Sequence, residues 1–79
     1  MTIDLYIQKK MTIAENLLAK GSIDECLEVC TTVSTIMAEH RAREAPVPME
    51  EAHTKQLAAI KRNLNLEIVR RVKQIKAKG

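Results

Sequence analysis

Tyr6 is the only aromatic residue among the 79 residues of this chain, which contains neither phenylalanine nor tryptophan. Any hydrophobic core must therefore be built from aliphatic side chains, methionine and cysteine, which suit the packing of helix against helix. Hydrophobic residues make up 46% and charged residues 29% of the sequence, a balance typical of folded chains. A chain of this length supports one core, so residues 1–79 are predicted to form a single domain.

Gly21 and Ser22 mark the clearest boundary between predicted helices. Gly21 can adopt the left-handed backbone conformation that often ends a helix, because glycine has no Cβ. Ser22 followed by Glu25 matches a capping box, in which each side chain accepts a hydrogen bond from a free amide at the start of a helix. The sequence therefore predicts that one helix ends near residue 20 and that the next begins near residue 23.

Apolar residues on both sides of this boundary recur every three or four positions, the spacing of one face of a helix. The pattern predicts helices over residues 3–20 and 23–41. Thr12 and Glu15 also match a capping box, so two helical pieces that meet near Met11 are an alternative for the N-terminal region. The predicted buried faces comprise Ile3, Ile7, Met11, Ala14, Leu17 and Leu18 in the first helix and Ile23, Cys26, Leu27, Cys30, Val33 and Met37, widened by Val29 and Ile36, in the second.

Two prolines interrupt the helical pattern after the second helix. Pro46 and Pro48 force extended backbone at the residues before them, which predicts a loop over 43–48. Pro48 suits the first turn of a third helix, which we expect over residues 48–76. At roughly 1.5 Å per residue this helix would be about 40 Å long, so part of it must project beyond the other two or meet another subunit.

The third helix carries a long apolar seam. Its predicted core face comprises Leu57, Ile60, Leu64, Ile68, Val72 and Ile75. The first two helices form a helical hairpin, and this hairpin together with the long C-terminal amphipathic helix predicts an all-α three-helix bundle. One core gives so short a chain little net stability, and self-association buries more apolar surface, so we expect a homodimer or larger homo-oligomer.

Charge is distributed unevenly along the chain. Residues 1–60 contain six basic and nine acidic residues, a balance of −3, whereas residues 61–79 contain seven basic residues and one acidic residue, a balance of +6. The second helix has no basic residue before Arg41, and its acidic residues are Asp24, Glu25, Glu28 and Glu39. Its antiparallel packing on the third helix, within one chain or across a dimer, would therefore be favoured electrostatically. The simpler interpretation of the basic segment is a solvated helix end that complements the helix dipole.

Leu66 and Val69 fall on the side of the third helix opposite its apolar seam, among basic residues. Such a surface suits a protein partner that is acidic and amphipathic, because apolar burial supplies affinity and charge supplies orientation. The alternative is that these two residues broaden the core where the first helix covers the third. The sequence favours a non-enzymatic interaction module of adaptor, regulator or chaperone type. The predicted partner-binding residues are Arg62, Leu66, Val69, Arg70, Lys73 and Lys76.

Nucleic-acid binding is the alternative function, since clustered Lys and Arg residues on a helix can neutralise phosphates. The residues that would bind phosphates are Lys61, Arg62, Arg70, Arg71, Lys73 and Lys76. Proteins that bind single strands usually add stacking aromatic residues, and the one tyrosine of this chain lies in a different segment. The sequence also lacks an evident recognition helix of the helix-turn-helix kind. We therefore favour a protein partner.

Other functional classes find little support in the sequence. It shows no nucleophile beside a base and no phosphate-binding loop, so we predict neither catalytic residues nor enzymatic activity. Cys26 and Cys30 share a helix face, but neither His40 nor His53 follows at the spacing of a zinc finger, and His53 is expected to be exposed, so no metal or cofactor is predicted. The apolar runs are too short for a membrane span or a signal peptide, and we expect a cytoplasmic protein with reduced cysteines.

Overall fold

The computed structural model describes residues 2–78 and contains three α-helices in that range. Helix α1 spans Ile3–Lys20, α2 spans Ile23–Ala42 and α3 spans Glu50–Lys78. Residues 2–78 include no strand, and the helices pack on one another as a three-helix bundle, which confirms the predicted fold class. The molecule measures 50 × 21 × 17 Å and is elongated because α3 is much longer than the other helices.

The turn between α1 and α2 confirms the conformation predicted for Gly21. Its φ angle is 83°, in the left-handed region. The following amide, that of Ser22, donates to the Leu17 carbonyl oxygen at 2.8 Å and closes the end of α1. A Cβ atom at Gly21 would lie 2.9 Å from Nη2 of Arg71, the far end of a flexible side chain that could shift. The left-handed backbone conformation is therefore what favours glycine at this position.

The two capping boxes predicted from the sequence are wrong. Ser22 has a ψ angle of 74°, away from the extended conformation of a capping residue, and its side chain forms no cap hydrogen bond. Thr12 lies within a continuous α1 and donates to the Gln8 carbonyl oxygen at 3.1 Å, so this helix is not divided. The side chain that caps α1 is Thr2, whose Oγ1 accepts a hydrogen bond from the Leu5 amide at 3.2 Å.

The loop between α2 and α3 differs from its predicted bounds. Helix α2 ends at Ala42, one residue later than predicted, and α3 begins at Glu50, two residues later. Pro48 therefore lies in a turn before α3 and not in its first helical turn. A hydrogen bond of 2.9 Å from Arg41 to Glu50 joins the two helix ends across the loop.

The core lies where the three helices meet and is aliphatic, as the composition requires. Its buried residues are Ile7, Met11, Ala14, Cys26, Cys30, Val33, Met37, Leu57, Ile60 and Leu64. Partly buried residues packed at its edge are Ile3, Leu17, Leu18, Ile23, Val29, Ile36, Val47 and Ile68. Burial of each larger aliphatic side chain contributes roughly 1.5–3 kcal/mol to folding.

The C-terminal end of α3 projects beyond α1 and α2, as its predicted length requires. Nη2 of Arg71 donates to the Gly21 carbonyl oxygen at 3.0 Å, which places Arg71 level with the turn between α1 and α2. Residues 72–78 extend past that turn. Val72 and Ile75, predicted to continue the core seam, are exposed, and Ile75 is 71% exposed. Their assignment to the core is wrong because α1 and α2 are too short to cover them.

Candidate functional site

The predicted partner-binding residues lie on the outer side of α3, away from the core. This surface, formed by Arg62, Leu66, Val69, Arg70, Lys73 and Lys76, is termed the basic flank. Leu66 is 62% exposed and Val69 is 49% exposed, so the alternative that they broaden the core is wrong. Helix α1 packs on a different side of α3, where Leu18 adjoins Ile60.

The apolar part of the basic flank is a shallow concavity of about 460 Å³ along α3. Its lining residues are Ala58, Lys61, Arg62, Asn65, Leu66 and Val69. Alanine, leucine and valine supply its apolar surface, and two cations also contribute to its lining. A concavity of this form suits a side chain of another helix better than it suits an enclosed small molecule.

The cations of the basic flank differ in how far other residues of the chain engage them. Arg70 forms an ion pair with Glu67, to which Arg71 also donates at 3.3 Å. The hydrogen bond from Arg70 is the main cause that holds the pKa of Glu67 below its ordinary value. By contrast, Arg62 and Lys73 form no hydrogen bond or ion pair with the side chains described for residues 2–76. These two cations are therefore available to a partner.

The basic flank continues into the groove between α2 and α3. Nζ of Lys61 donates to Oγ of Ser34 at 3.0 Å and links the two helices. From this contact toward the C-terminal end of α2, the groove between α2 and α3 is lined by Ser34, Met37, Ala38, Arg41, Thr54, Leu57, Ala58 and Lys61. Because Ala58 and Lys61 also line the concavity of the basic flank, the two surfaces are contiguous.

His53 lies at the other end of α3 and is only 3% exposed, so its predicted exposure is wrong. Its Nε2 lies 3.0 Å from Oδ1 of Asp4, and the same oxygen accepts a hydrogen bond from the Met49 amide at 3.0 Å. His53 precedes Leu57 by four residues and Ile60 by seven, so it begins the buried seam of α3. The cluster ties the first turn of α1 to the first turn of α3 and has a structural role.

The cysteines are buried between the helices and are free thiols. Burial, followed by the neighbouring Cys26, raises the pKa of the Cys30 thiol from its ordinary value of 9.0 to about 11. Among the residues that the structure describes, no group of three or more His, Cys, Asp or Glu side chains could hold a metal ion. Because both side chains are fully buried, Cys26 and Cys30 contribute to the core as small apolar side chains.

The raised pKa of Cys30 predicts a loss of stability at alkaline pH. Between pH 9.0 and about 11 the unfolded thiol ionises while the folded thiol keeps its proton, so the unfolded state binds fewer protons. The free energy of unfolding should therefore fall by about 1–2 kcal/mol across this range on account of Cys30. Urea denaturation of the wild type and of Cys30→Ala, each at several pH values, measures the effect. Parallel pH profiles for the two proteins would contradict it.

Comparisons of this chain with known protein families, with curated proteins and with solved structures find no match. In the part of the chain that the structure describes, no helix is both long enough and apolar enough to cross a membrane. The functional assignment therefore depends on the surface of the chain itself.

Proposed function

We propose that this chain is a non-enzymatic protein-interaction module whose basic flank binds an acidic, amphipathic helical surface. The observation that carries the proposal is the exposure of Leu66 and Val69 on α3, beside Arg62 and Lys73. The two apolar side chains would be buried by the partner, and the two cations would pair with its carboxylates. Such a surface would allow the chain to act as an adaptor, regulator or chaperone. The proposal includes a cytoplasmic location, which suits the free thiols.

Several contacts favour a protein partner over nucleic acid. Of the six cations that would bind phosphates, Lys61 donates to Ser34 and Arg70 pairs with Glu67. A third, Arg71, donates to the Gly21 carbonyl oxygen. Phosphate binding would have to break these contacts or depend on the remaining three cations. It would also leave Leu66 exposed, because phosphate contacts bury little apolar surface.

Reversal of two charges on the basic flank is expected to weaken binding of an acidic helix at least tenfold. The probe is a designed fluorescent helical peptide with leucines on one face and glutamates beside them, and its binding is followed by anisotropy. Arg62→Glu combined with Lys73→Glu places like charges opposite the glutamates, while Leu66→Asp removes the apolar contact. Both variants should keep the helicity of the wild type, because these side chains lie outside the core.

Lys9→Glu combined with Lys55→Glu is the matched control, since both lysines are exposed and the change in net charge is the same. This control should bind the peptide as the wild type does. Equal binding by all three proteins would show that the attraction is general and that the basic flank is not the site. Steep, salt-dependent binding of a random oligonucleotide, lost in the Arg62 and Lys73 variant while the peptide fails to bind, would favour the nucleic-acid alternative.

A further inference from the structure

We infer that the acidic, amphipathic helix taken by the basic flank is α2 of a second copy of this chain, an inference that rests on the proposed function. The surface concerned is formed by Asp24, Leu27 and Glu28 and is termed the acidic edge. It is the counterpart of the basic flank in both chemistry and secondary structure.

The acidic edge has one apolar side chain next to two carboxylates. Leu27, predicted to lie in the core, is 48% exposed, and Asp24 and Glu28 are exposed beside it. Neither carboxylate forms an ion pair with a cation among the side chains described for residues 2–76. The arrangement mirrors the basic flank, where apolar side chains adjoin cations without an internal partner.

The register of α2 and α3 places these two surfaces side by side. Ser34 and Lys61 are in contact, and the helices are antiparallel, so Leu27, two turns before Ser34, is level with Ile68, two turns after Lys61. Val69 and Val72 follow next along α3 and are also exposed. The exposed apolar side chains of α2 and α3 therefore lie at similar levels along the bundle, with carboxylates beside them on α2 and cations beside them on α3.

Twofold symmetry makes this surface complementary to itself. A twofold rotation about an axis parallel to the helices turns the α2–α3 face of a second copy toward that of the first. It places α2 of each copy opposite α3 of the other. The acidic edge of each copy then lies on the basic flank of the other, and α2 of one copy runs antiparallel to α3 of its partner. Leu27 of one copy would cover Leu66 and Val69 of the other, and the four helices would form an antiparallel bundle.

The inference predicts a dimer that charge reversal dissociates and that mixing restores. Sedimentation equilibrium of the wild type in the micromolar range should show a dimer. Asp24→Lys with Glu28→Lys makes both surfaces basic. Arg62→Glu with Lys73→Glu, the acidic variant, removes the net positive charge of the basic flank and places two carboxylates opposite those of the acidic edge. Each variant alone should raise the dimer dissociation constant at least tenfold. A mixture of the two should form a one-to-one heterodimer, because the introduced lysines then meet the introduced glutamates and the unchanged acidic edge meets the unchanged basic flank.

Two controls separate this pairing from general attraction between oppositely charged proteins. Lys9→Glu with Lys55→Glu should remain dimeric, and addition of Leu66→Asp to the acidic variant should abolish the heterodimer. A wild type that is monomeric yet binds the acidic peptide would overturn the inference and leave the proposed function standing. A dimer that neither reversal weakens would place the self-interface elsewhere and also overturn it. Failure of both dimerisation and peptide binding would overturn both proposals.

Discussion

Leu64→Ala is expected to lower the free energy of unfolding by about 3 kcal/mol, which corresponds to a fall in melting temperature of about 15 °C for a chain of this size. Leu64 is 1% exposed and lies where α3 meets the core. Its truncation leaves a cavity that neighbouring side chains fill only partly, because the core is closely packed. Thermal and urea denaturation followed by circular dichroism measure the change.

Leu66→Ala provides the matched control two residues further along the same helix. The substitution is chemically identical, but Leu66 points away from the core, so in the monomer the change in free energy of unfolding should remain within about 0.5 kcal/mol. Similar losses for both variants would show that Leu66 is buried in solution. A second copy of the chain would bury Leu66 in the proposed dimer. The comparison should therefore be made with protein diluted below the dimer dissociation constant.

Asp4→Ala is expected to lower the free energy of unfolding by about 2 kcal/mol. The Asp4 carboxylate accepts hydrogen bonds from Nε2 of His53 and from the Met49 amide. The His53 side chain is only 4% exposed, so water cannot readily replace the lost partner. Chemical denaturation at neutral pH measures the loss, with Glu15→Ala as the control because Glu15 is an exposed carboxylate on the same helix.

A double-mutant cycle identifies the partner responsible for that loss. In the background of His53→Leu the imidazole is absent, so Asp4→Ala should cost clearly less than it does in the wild type. The difference between the two costs is the coupling energy of the pair. Strictly additive losses would mean that Asp4 acts through the Met49 amide alone.

The fold could be predicted from the sequence because its determinants are local. The spacing of apolar residues and the glycine at position 21 were sufficient to place α1 and α2, and both depend on neighbours a few positions apart. The predicted capping box at Ser22 is wrong because local sequence does not determine the backbone angles of the turn. A capping box specifies which side chains are suitable, but the dihedral angles of Ser22 are set by the tight turn that follows Gly21.

The errors in burial have a common physical origin, which is the relative length of the helices. Periodicity identifies a face of α3 but does not say how far along that face other helices reach, so it wrongly predicts that Val72 and Ile75 are buried. The charged neighbours of His53 in the sequence predict that it is exposed, whereas its spacing to Leu57 places it in the buried seam of α3. Its partner Asp4 lies 49 positions away, beyond the reach of local patterns.

The exposure of Leu27 could not be predicted from the spacing of apolar residues. Leu27 lies at the border of the apolar face of α2, where burial depends on how other helices pack. Only the antiparallel register between α2 and α3 shows that it lies at a groove and not within the core. The basic flank, in contrast, could be located from the sequence. Leu66 and Val69 lie opposite the buried seam of the same helix, so one wheel is enough to separate them from it.

The contacts that hold α3 in place have a consequence for the order of folding. Helices α1 and α2 are joined by a two-residue turn, whereas α3 follows a longer loop. Besides its nearer contacts with α2, α3 is held to α1 and to the α1–α2 turn by pairs 49 and 50 positions apart, His53 with Asp4 and Arg71 with Gly21. Contacts between distant residues carry the larger cost in chain entropy, so we expect the α1–α2 hairpin to form early and α3 to dock late. The groove between α2 and α3 would then be completed in the last step, and anything that binds there would stabilise only the fully folded chain.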